Sequence, residues 1–508
     1  MPRIPRLRTI RHAQTRDTRP GHPPRHVRHV QRVVAQAALA PARPSVVRTP
    51  REDQPLYDSV YELLRLHLPA GRYSKPVAKR LALLVSGLVA SDTAKVGAIE
   101  RTVSGLAVTA AKPESIARRL QRILDDARLD PTHVLPDLLS TLLPVLLRDV
   151  LATHASSARR GGTAHRAWGP RLRVVVDDSS HAGHVHLLVA GLAYRGLVIP
   201  LLVRTWQQNA PLPEGEYWTQ LQGLLSDVQA LLPPVLRDHV LLVADRAFGV
   251  PRMLDLLGGL GWHWLLRVQG QTRVLLRDGT VRTVRSLAPL PGATWLGHFD
   301  SKTTITTAPP PEAEAEVIAV FKAAGWRASQ VVAVWQHGAE EPWLLVTSLA
   351  PTSERLREYA DRWGIERLFL SWKSHGWDLE ACGVHDPVRL GRLVSGVVLA
   401  TLWRLAAGAL AATQHLVDLR ARAQRRHSRR AHPHVVRQLP LPLDARHHSH
   451  QGASRPYAAK LSLFSQGTTV CHTTPCRFQT PPLLWHLPDW HAPLWSRHAQ
   501  QVYDGLTP

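Results

Sequence analysis

At 508 residues the chain is too long for one ordinary domain, and about two to four are expected. Lysine and arginine number 63 against 39 acidic residues, a formal charge of +24, which favours a polyanionic partner because each neutralised phosphate releases condensed counterions. Three cysteines (Cys382, Cys471, Cys476) exclude a disulfide framework and suit a reducing compartment, and the Cys471-His472 and Cys476 group lacks the second ligand pair of a structural zinc site.

Residues 1–50 are rich in arginine and proline without periodicity and read as a flexible basic arm. From residue 51 to about 165, apolar residues recur at helical spacing (SVYELLRLHL, VAKRLALLVSGLVA, ESIARRLQRIL, VLPDLLSTLLPVLL), which predicts an all-helical domain. In ESIARRLQRIL the spacing turns Ile116, Leu120 and Ile123 inward and leaves Arg118, Arg119 and Arg122 outside. Such a helix suits a DNA groove, although a solvated charged face is the ordinary alternative.

Between residues 166 and 270 the texture changes. RLRVVVDDSS reads as a buried strand ending in acids. HVHLLVAGLAY and GLVIPLLVRTW follow as strands about Gly196, and EYWTQLQGLLSDVQALL reads as a helix. HVLLVADRAFG is another buried strand ending in an acid, followed by the helix VPRMLDLLGGLG and the strand WHWLLRV. Three strands, helix, strand, helix, strand is the order of a ribonuclease-H-like α/β sheet. Residues 271–352 interrupt that order with short strands, including RVLLRDGTVRTV, TTITTA, VVAVW and PWLLVTSL. Residues 353–412 then complete the core, beginning with one long helix from Ser353 to about His375, stopped by Gly376. Residues 413–508 are a basic region whose fold the pattern does not specify. The most apolar stretch, Leu390–Leu410, is interrupted by Arg392 and Arg404 and reads as a buried helix. The N-terminus has no apolar segment of the signal-peptide kind. A soluble, cytoplasmic protein without a membrane partner is expected.

The chemistry concentrates in acids that end buried strands, because a strand holds a carboxylate rigidly beside the crevice where α/β sheets bind ligands. One acid after a strand ordinarily caps a turn, whereas VVVDD and VLLVAD supply two such breaks. A third polar cluster follows in YADRWGIERLFLSWK. At about 100° per residue, Tyr359, Arg362, Glu366 and Lys373 fall within roughly 60° on one face of a continuous helix. Adjacent strand residues face opposite sides, so only one of Asp177 and Asp178 can join the other acids, and the period of two does not choose between them.

These blocks resemble a known family. The spacing Tyr359-x2-Arg362-x3-Glu366-x6-Lys373 matches the YREK signature of the insertion sequence 4 family of DDE transposases. VVVDDSS, VLLVADRAFG and IERLFLSWKSHGWDLE resemble that family's three catalytic blocks in order, over roughly residues 170–405. The resemblance implies a ribonuclease-H-like core with a β-rich insertion, which suits the 366 − 245 = 121 residues between the second and third acids. It implies that Asp177, Asp245 and Glu366 are catalytic and bind Mg²⁺ or Mn²⁺, as a pair of ions, while Tyr359, Arg362 and Lys373 grip phosphates. The family pattern Asp-x-Ser/Thr favours Asp177, with Ser179, over Asp178. Glu380 competes with Glu366 but lies beyond Gly376. Trp343 and Trp335 are candidates to stack on a flipped base, a core tryptophan being the ordinary role. The implied activity is transposition on double-stranded DNA, at terminal inverted repeats and a target, by a homodimer associated with the nucleoid. A nuclease that cuts without joining and a non-catalytic DNA-binding regulator are the competing readings. Intact acids argue against the regulator.

Overall fold

The computed structural model describes residues 56–428 apart from 106–111, 149–171, 195, 209, 211, 298–316 and 375. The basic arm, the TTITTA segment, the Cys471–Cys476 group and the chain beyond residue 428 lie outside the described residues.

Five helices come first: α1 (Leu56–His67), α2 (Lys75–Ser91), α3 (Val96–Gly105), α4 (Pro113–Asp125) and α5 (Pro131–Leu146). Prolines at the first positions of α2, α4 and α5 cost no hydrogen bond there, and Asp130 caps α5 by accepting from the Thr132 amide. On α4, Ile116, Leu120 and Ile123 are buried as the spacing expects; Arg118 and Arg122 are exposed and Arg119 is half-buried.

The sheet follows as β1 (Leu172–His181), β2 (Val185–Tyr194) and β3 (Leu197–Gln207). Then come α6 (Glu216–Leu231), β4 (Val240–Ala244), α7 (Pro251–Leu260) and β5 (His263–Arg267). β1, β2 and β3 form an antiparallel meander, and β4 and β5 return parallel to β1 through the two helical crossovers. All five residues of β4 are buried, as a parallel strand covered on both faces requires.

The stretch after β5 gives β6 (Arg273–Leu276), β7 (Val281–Thr283), β8 (Thr294–Leu296), β9 (Val317–Val320), β10 (Gln330–Val334) and β11 (Trp343–Thr347). β6, β7 and β9 make a small sheet of their own. β11, β10 and β8 instead extend the main sheet, whose order is β3-β2-β1-β4-β5-β11-β10-β8. Leu265–Arg267 of β5 pair antiparallel with β11, so the insertion continues the core.

The predicted single helix after residue 353 is two helices, α8 (Glu354–Ala360) and α9 (Trp363–Lys373). The break falls at Asp361 and Arg362, where the Asp361 carboxylate turns back to pair with Arg173 of β1. Tyr359 therefore belongs to one helix, Glu366 and Lys373 to the next, and Arg362 to the joint. Asp361 and Arg362 keep helical dihedrals, and Arg362 contacts both the Tyr359 ring and Glu366 across the joint.

The last described helix, α10 (Pro387–Ser428), is long and apolar enough through Ala409 to cross a membrane by composition, yet that stretch is buried among β3 and the N-terminal helices. Its fully buried Arg404 lies 3.7 Å from the Trp377 ring centre, donates to the Val89 carbonyl at 3.2 Å and pairs with Asp92. An interior arginine is tolerated because its charge is met on several sides.

Candidate active site

The site lies where β4 stops and β1 continues. β4 pairs with Leu172–Val175 only, whereas β1 runs on to His181 against β2. Asp177 is thus not at a strand end, as the sequence reading expects, but in mid-strand, two residues past the last β1–β4 pair. Asp245 follows the last residue of β4, and its Oδ1 accepts the Ala247 amide at 2.8 Å, an Asx turn that fixes the carboxylate. The turn is pressed on its neighbour: a Cβ on Gly249 would run into the carbonyl of Arg267 on β5, so only glycine fits.

The two adjacent acids of β1 have different surroundings. Asp178 accepts from Tyr217 of α6 at 3.0 Å and lies 3.2 Å from His186 Nε2. Burial alone would raise its carboxyl, but the hydrogen bond and charge of His186 and the Tyr217 hydroxyl outweigh burial and hold it low. Asp177 is raised to about 7, chiefly by burial and further by the charges of Asp245 and Asp178, against the Asp178 amide and Arg362. Asp177 is therefore the acid that senses Asp245 most. Sequence reasoning missed Tyr217 and His186; a tyrosine opening α6 and a histidine in an apolar strand carry no signal until the sheet is built.

Glu366, on the first turn of α9, is brought to Asp177 by Arg362. The guanidinium reaches Glu366 Oε1 at 2.5 Å and Asp177 Oδ2 at 3.5 Å. Gly364 lets α9 approach: a Cβ there would meet the Leu197 carbonyl carbon of β3 at 2.8 Å. Tyr359 is buried with its ring edge on Trp343 of β11, centres 5.1 Å apart, and burial foremost pushes its hydroxyl up to about 12. Lys373 lies 3.7 Å from Glu380. Trp335 is tied elsewhere, under Arg285 at 4.0 Å and donating to the Ala339 carbonyl. Arg118, Arg119 and Arg122 lie on α4, outside this cluster.

One further group emerges only in three dimensions. Glu341, before β11, accepts from Arg246 at 2.7 Å and from Arg267 at 2.8 Å. Arg246 follows Asp245 directly, and the positive charge of Arg267 is felt at Tyr359. The arginine ending WHWLLR was the available signal; its meeting with Arg246 across β4 and β5 was not.

Three carboxylates supply the oxygen donors that suit a hard divalent cation, and Asp177, raised chiefly by burial, is raised further by the charge of Asp245. As placed, however, no three His, Cys, Asp or Glu side chains among the described residues are gathered to hold an ion. Arg362 stands between two of the three acids, so the donor types fit while Glu366 must part from the guanidinium to join them. No curated protein matches this chain. Residues 219–403, from α6 into α10, match the family model of the transposase DDE domain, a stretch that contains Asp245, Tyr359, Arg362, Glu366 and Lys373 and stops short of β1.

Proposed function

We propose that this chain is a DDE transposase of the insertion sequence 4 type, which cleaves DNA at the ends of a mobile element and joins those ends to a target. The observation that carries the reading is the meeting of Asp177 from β1 and Glu366 from α9 at Arg362, with the negative charge of Asp245, just past β4, acting on the same Asp177 carboxyl. The match over residues 219–403 supports it independently. So does the strand order β3-β2-β1-β4-β5, with its antiparallel meander and two parallel returns, which is that of a ribonuclease-H-like core.

In this reading Asp177, Asp245 and Glu366 are the metal ligands, for two Mg²⁺ or Mn²⁺ ions. When bound, such ions activate an attacking oxygen and neutralise charge on the leaving one in an in-line displacement at phosphorus. The chain's own residues do the rest. The Asx turn at Asp245 and the β1 backbone hold two carboxylates rigid. Arg362, once relieved of Glu366, presents a planar fork to a phosphate. Tyr359, packed on Trp343, walls the site, and Lys373 supplies a second cation along α9. The attacking water or 3′-hydroxyl forms the new P–O bond as the 3′-oxygen of the scissile phosphodiester leaves. A homodimer on the two element ends, acting in the cytoplasm at the nucleoid, completes the proposal.

The test is the purified full chain, Mg²⁺ and a duplex carrying the inverted repeats that flank its gene. Cleavage with joined products supports the transposase. Cleavage without joined products identifies a nuclease, and binding without cleavage a regulator. Asp245→Ala and Glu366→Ala should abolish cutting while leaving DNA bound, and undiminished cutting by either overturns the assignment.

A further inference from the structure

Away from the carboxylates, at the far end of β1, two ligand pairs meet. His181-Ala182-Gly183-His184 closes the β1–β2 hairpin, and Cys382-Gly383-Val384-His385 lies in the link between α9 and α10. In each pair the two ligand-type residues are separated by two others, and each turn contains a glycine at φ 72°. Such tight turns bring side chains three positions apart to the same side. The His184 amide donates to the His181 carbonyl at 2.9 Å, and the Val384 amide donates to Cys382 Sγ at 3.4 Å. An amide aimed at sulfur is the kind of outer support that stabilises a metal-bound thiolate.

The pairs face one another. Cys382 Sγ is 3.9 Å from Nε2 of His181, a fully buried ring. Tetrahedral zinc with thiolate and imidazole ligands sets sulfur and nitrogen about 3.5 Å apart, so these two atoms need a shift of only a few tenths of an ångström. The His385 ring centre lies 6.5 Å from that of His181 and 4.7 Å from that of His184. The last two rings stand edge to face rather than aimed at a common point, which is why no three ligands are gathered as placed. Both are exposed, so they turn about their side-chain torsions without disturbing the core.

We propose that His181, His184, Cys382 and His385 form a metal site separate from the carboxylates, selective for a borderline-soft divalent ion such as zinc. One thiolate and three imidazoles exclude Mg²⁺, which demands oxygen. On binding, the Cys382 thiol gives its proton to solvent and its sulfur bonds the ion, while the two exposed rings swing in. The ion ties the hairpin at the end of the strand carrying Asp177 to the link behind the helix carrying Glu366, beside the Lys373–Glu380 pair.

The full chain, stripped with chelator, is titrated with Co²⁺ and then Zn²⁺, following the thiolate-to-cobalt charge-transfer band. A site-specific equivalent should appear, be displaced by Zn²⁺, and vanish in Cys382→Ser. His184→Ala, altered only at an exposed turn, keeps the fold intact and should bind at least about tenfold more weakly. Asp245→Asn and the double variant Cys471→Ser/Cys476→Ser should keep the band, which separates this site from the carboxylates and from the other cysteines. A wild-type chain without the band, or one whose band persists unchanged in Cys382→Ser, overturns the proposal.

Discussion

Arg362 lies 3.5 Å from Asp177 while its other terminal nitrogen holds Glu366 at 2.5 Å, so one guanidinium bridges two of the three acids proposed to bind metal. The arrangement makes Arg362 a placeholder for positive charge in the absence of ions. Arg362→Gln should lower the cleavage rate by about 10²-fold or more, the scale of losing a charged group at a developing phosphoryl charge. Arg362→Lys should fail to restore it, because a point charge does not reproduce the two-pronged contact. Metal-free Arg362→Gln should also melt lower than the wild-type chain and recover more on adding Mg²⁺. An equal Mg²⁺ response in both chains would sink the placeholder role.

Asp177 and Asp178 are neighbours with different surroundings. Asp178 is tied to His186 and Tyr217, a closed polar contact between β1, β2 and α6, whereas Asp177 faces Arg362 and feels Asp245. Asp177→Asn should abolish Mg²⁺-dependent cleavage. Asp178→Asn should cost stability, about 1–2 kcal/mol for a weakened charged contact, and leave measurable cutting. The reverse pattern in a single-turnover assay would transfer the catalytic role to Asp178.

The raised carboxyl of Asp177 fixes the sign of a pH effect. Its folded value of about 7 exceeds the ordinary aspartate value of 3.8, so the folded chain binds this proton more tightly than the unfolded chain. The associated stability is present below about pH 4 and is lost as pH rises through about 7. Asp177→Asn removes the titrating charge, so the metal-free variant should be more stable than the wild type at pH 8, on the order of 1–3 kcal/mol after allowing for partial solvent access, and much less so near pH 4. Glu358, buried beside Arg355 and also raised to about 7, titrates in the same window in both chains. Only the difference between the two melting curves reports Asp177. A difference independent of pH would refute the assignment.

The order of the core elements was legible because each is patterned strongly: VLLVA and VHLLVAGLAY permit little but buried strands, and Gly196 at φ 74° turns β2 into β3. The α8–α9 break was not legible, because residues 353–374 contain no proline, the one glycine, Gly364, lies within α9, and every side chain there suits a helix. At the joint Asp361 pairs with Arg173, a contact between residues 188 positions apart, 361 − 173. The joining of β11 to β5 was hidden for a like reason: PWLLVTSL reads as a strand, but its partner is chosen by the edge that β5 leaves open. Asp245 and Glu366 could be singled out by residue type and position. The bridge of Arg362 and the Arg246–Glu341–Arg267 group depend on side chains meeting across elements, which no local pattern encodes.

Gly249 sets the height of the Asp245 turn over β5. Its substitution by alanine drives a methyl into the Arg267 backbone carbonyl, which belongs to a paired strand and has little room to give. Gly249→Ala should cost about 2–4 kcal/mol and displace Asp245, so cleavage should fall even where the variant remains folded. Alanine at Gly258, where nothing lies within 4 Å, is the control and should be neutral or mildly stabilising. Equal melting temperatures for Gly249→Ala and Gly258→Ala would show that the turn is not constrained as described.

Helix α4, with its exposed arginines, is fixed to the core rather than hung beside it. Arg389 of α10 bonds Gln121 at 3.0 Å and lies 3.3 Å from Asp125, and Arg392 donates to the Leu124 carbonyl at 2.6 Å. Arg118 and Arg122, next to Gln121 and Asp125 on the same side of the helix, are exposed. If these residues contact phosphates, replacing Arg118, Arg119 and Arg122 by alanine removes up to three released counterions, and the slope of log affinity against log salt should become shallower by roughly 2–3. Loss of affinity that is uniform across duplex sequences assigns them to the backbone. Loss confined to the inverted repeats assigns them to base edges, and an unchanged slope removes α4 from the interface. Because α4 is braced on α10, the melting temperature should stay within a few degrees of wild type in every case, which keeps a binding defect distinct from unfolding.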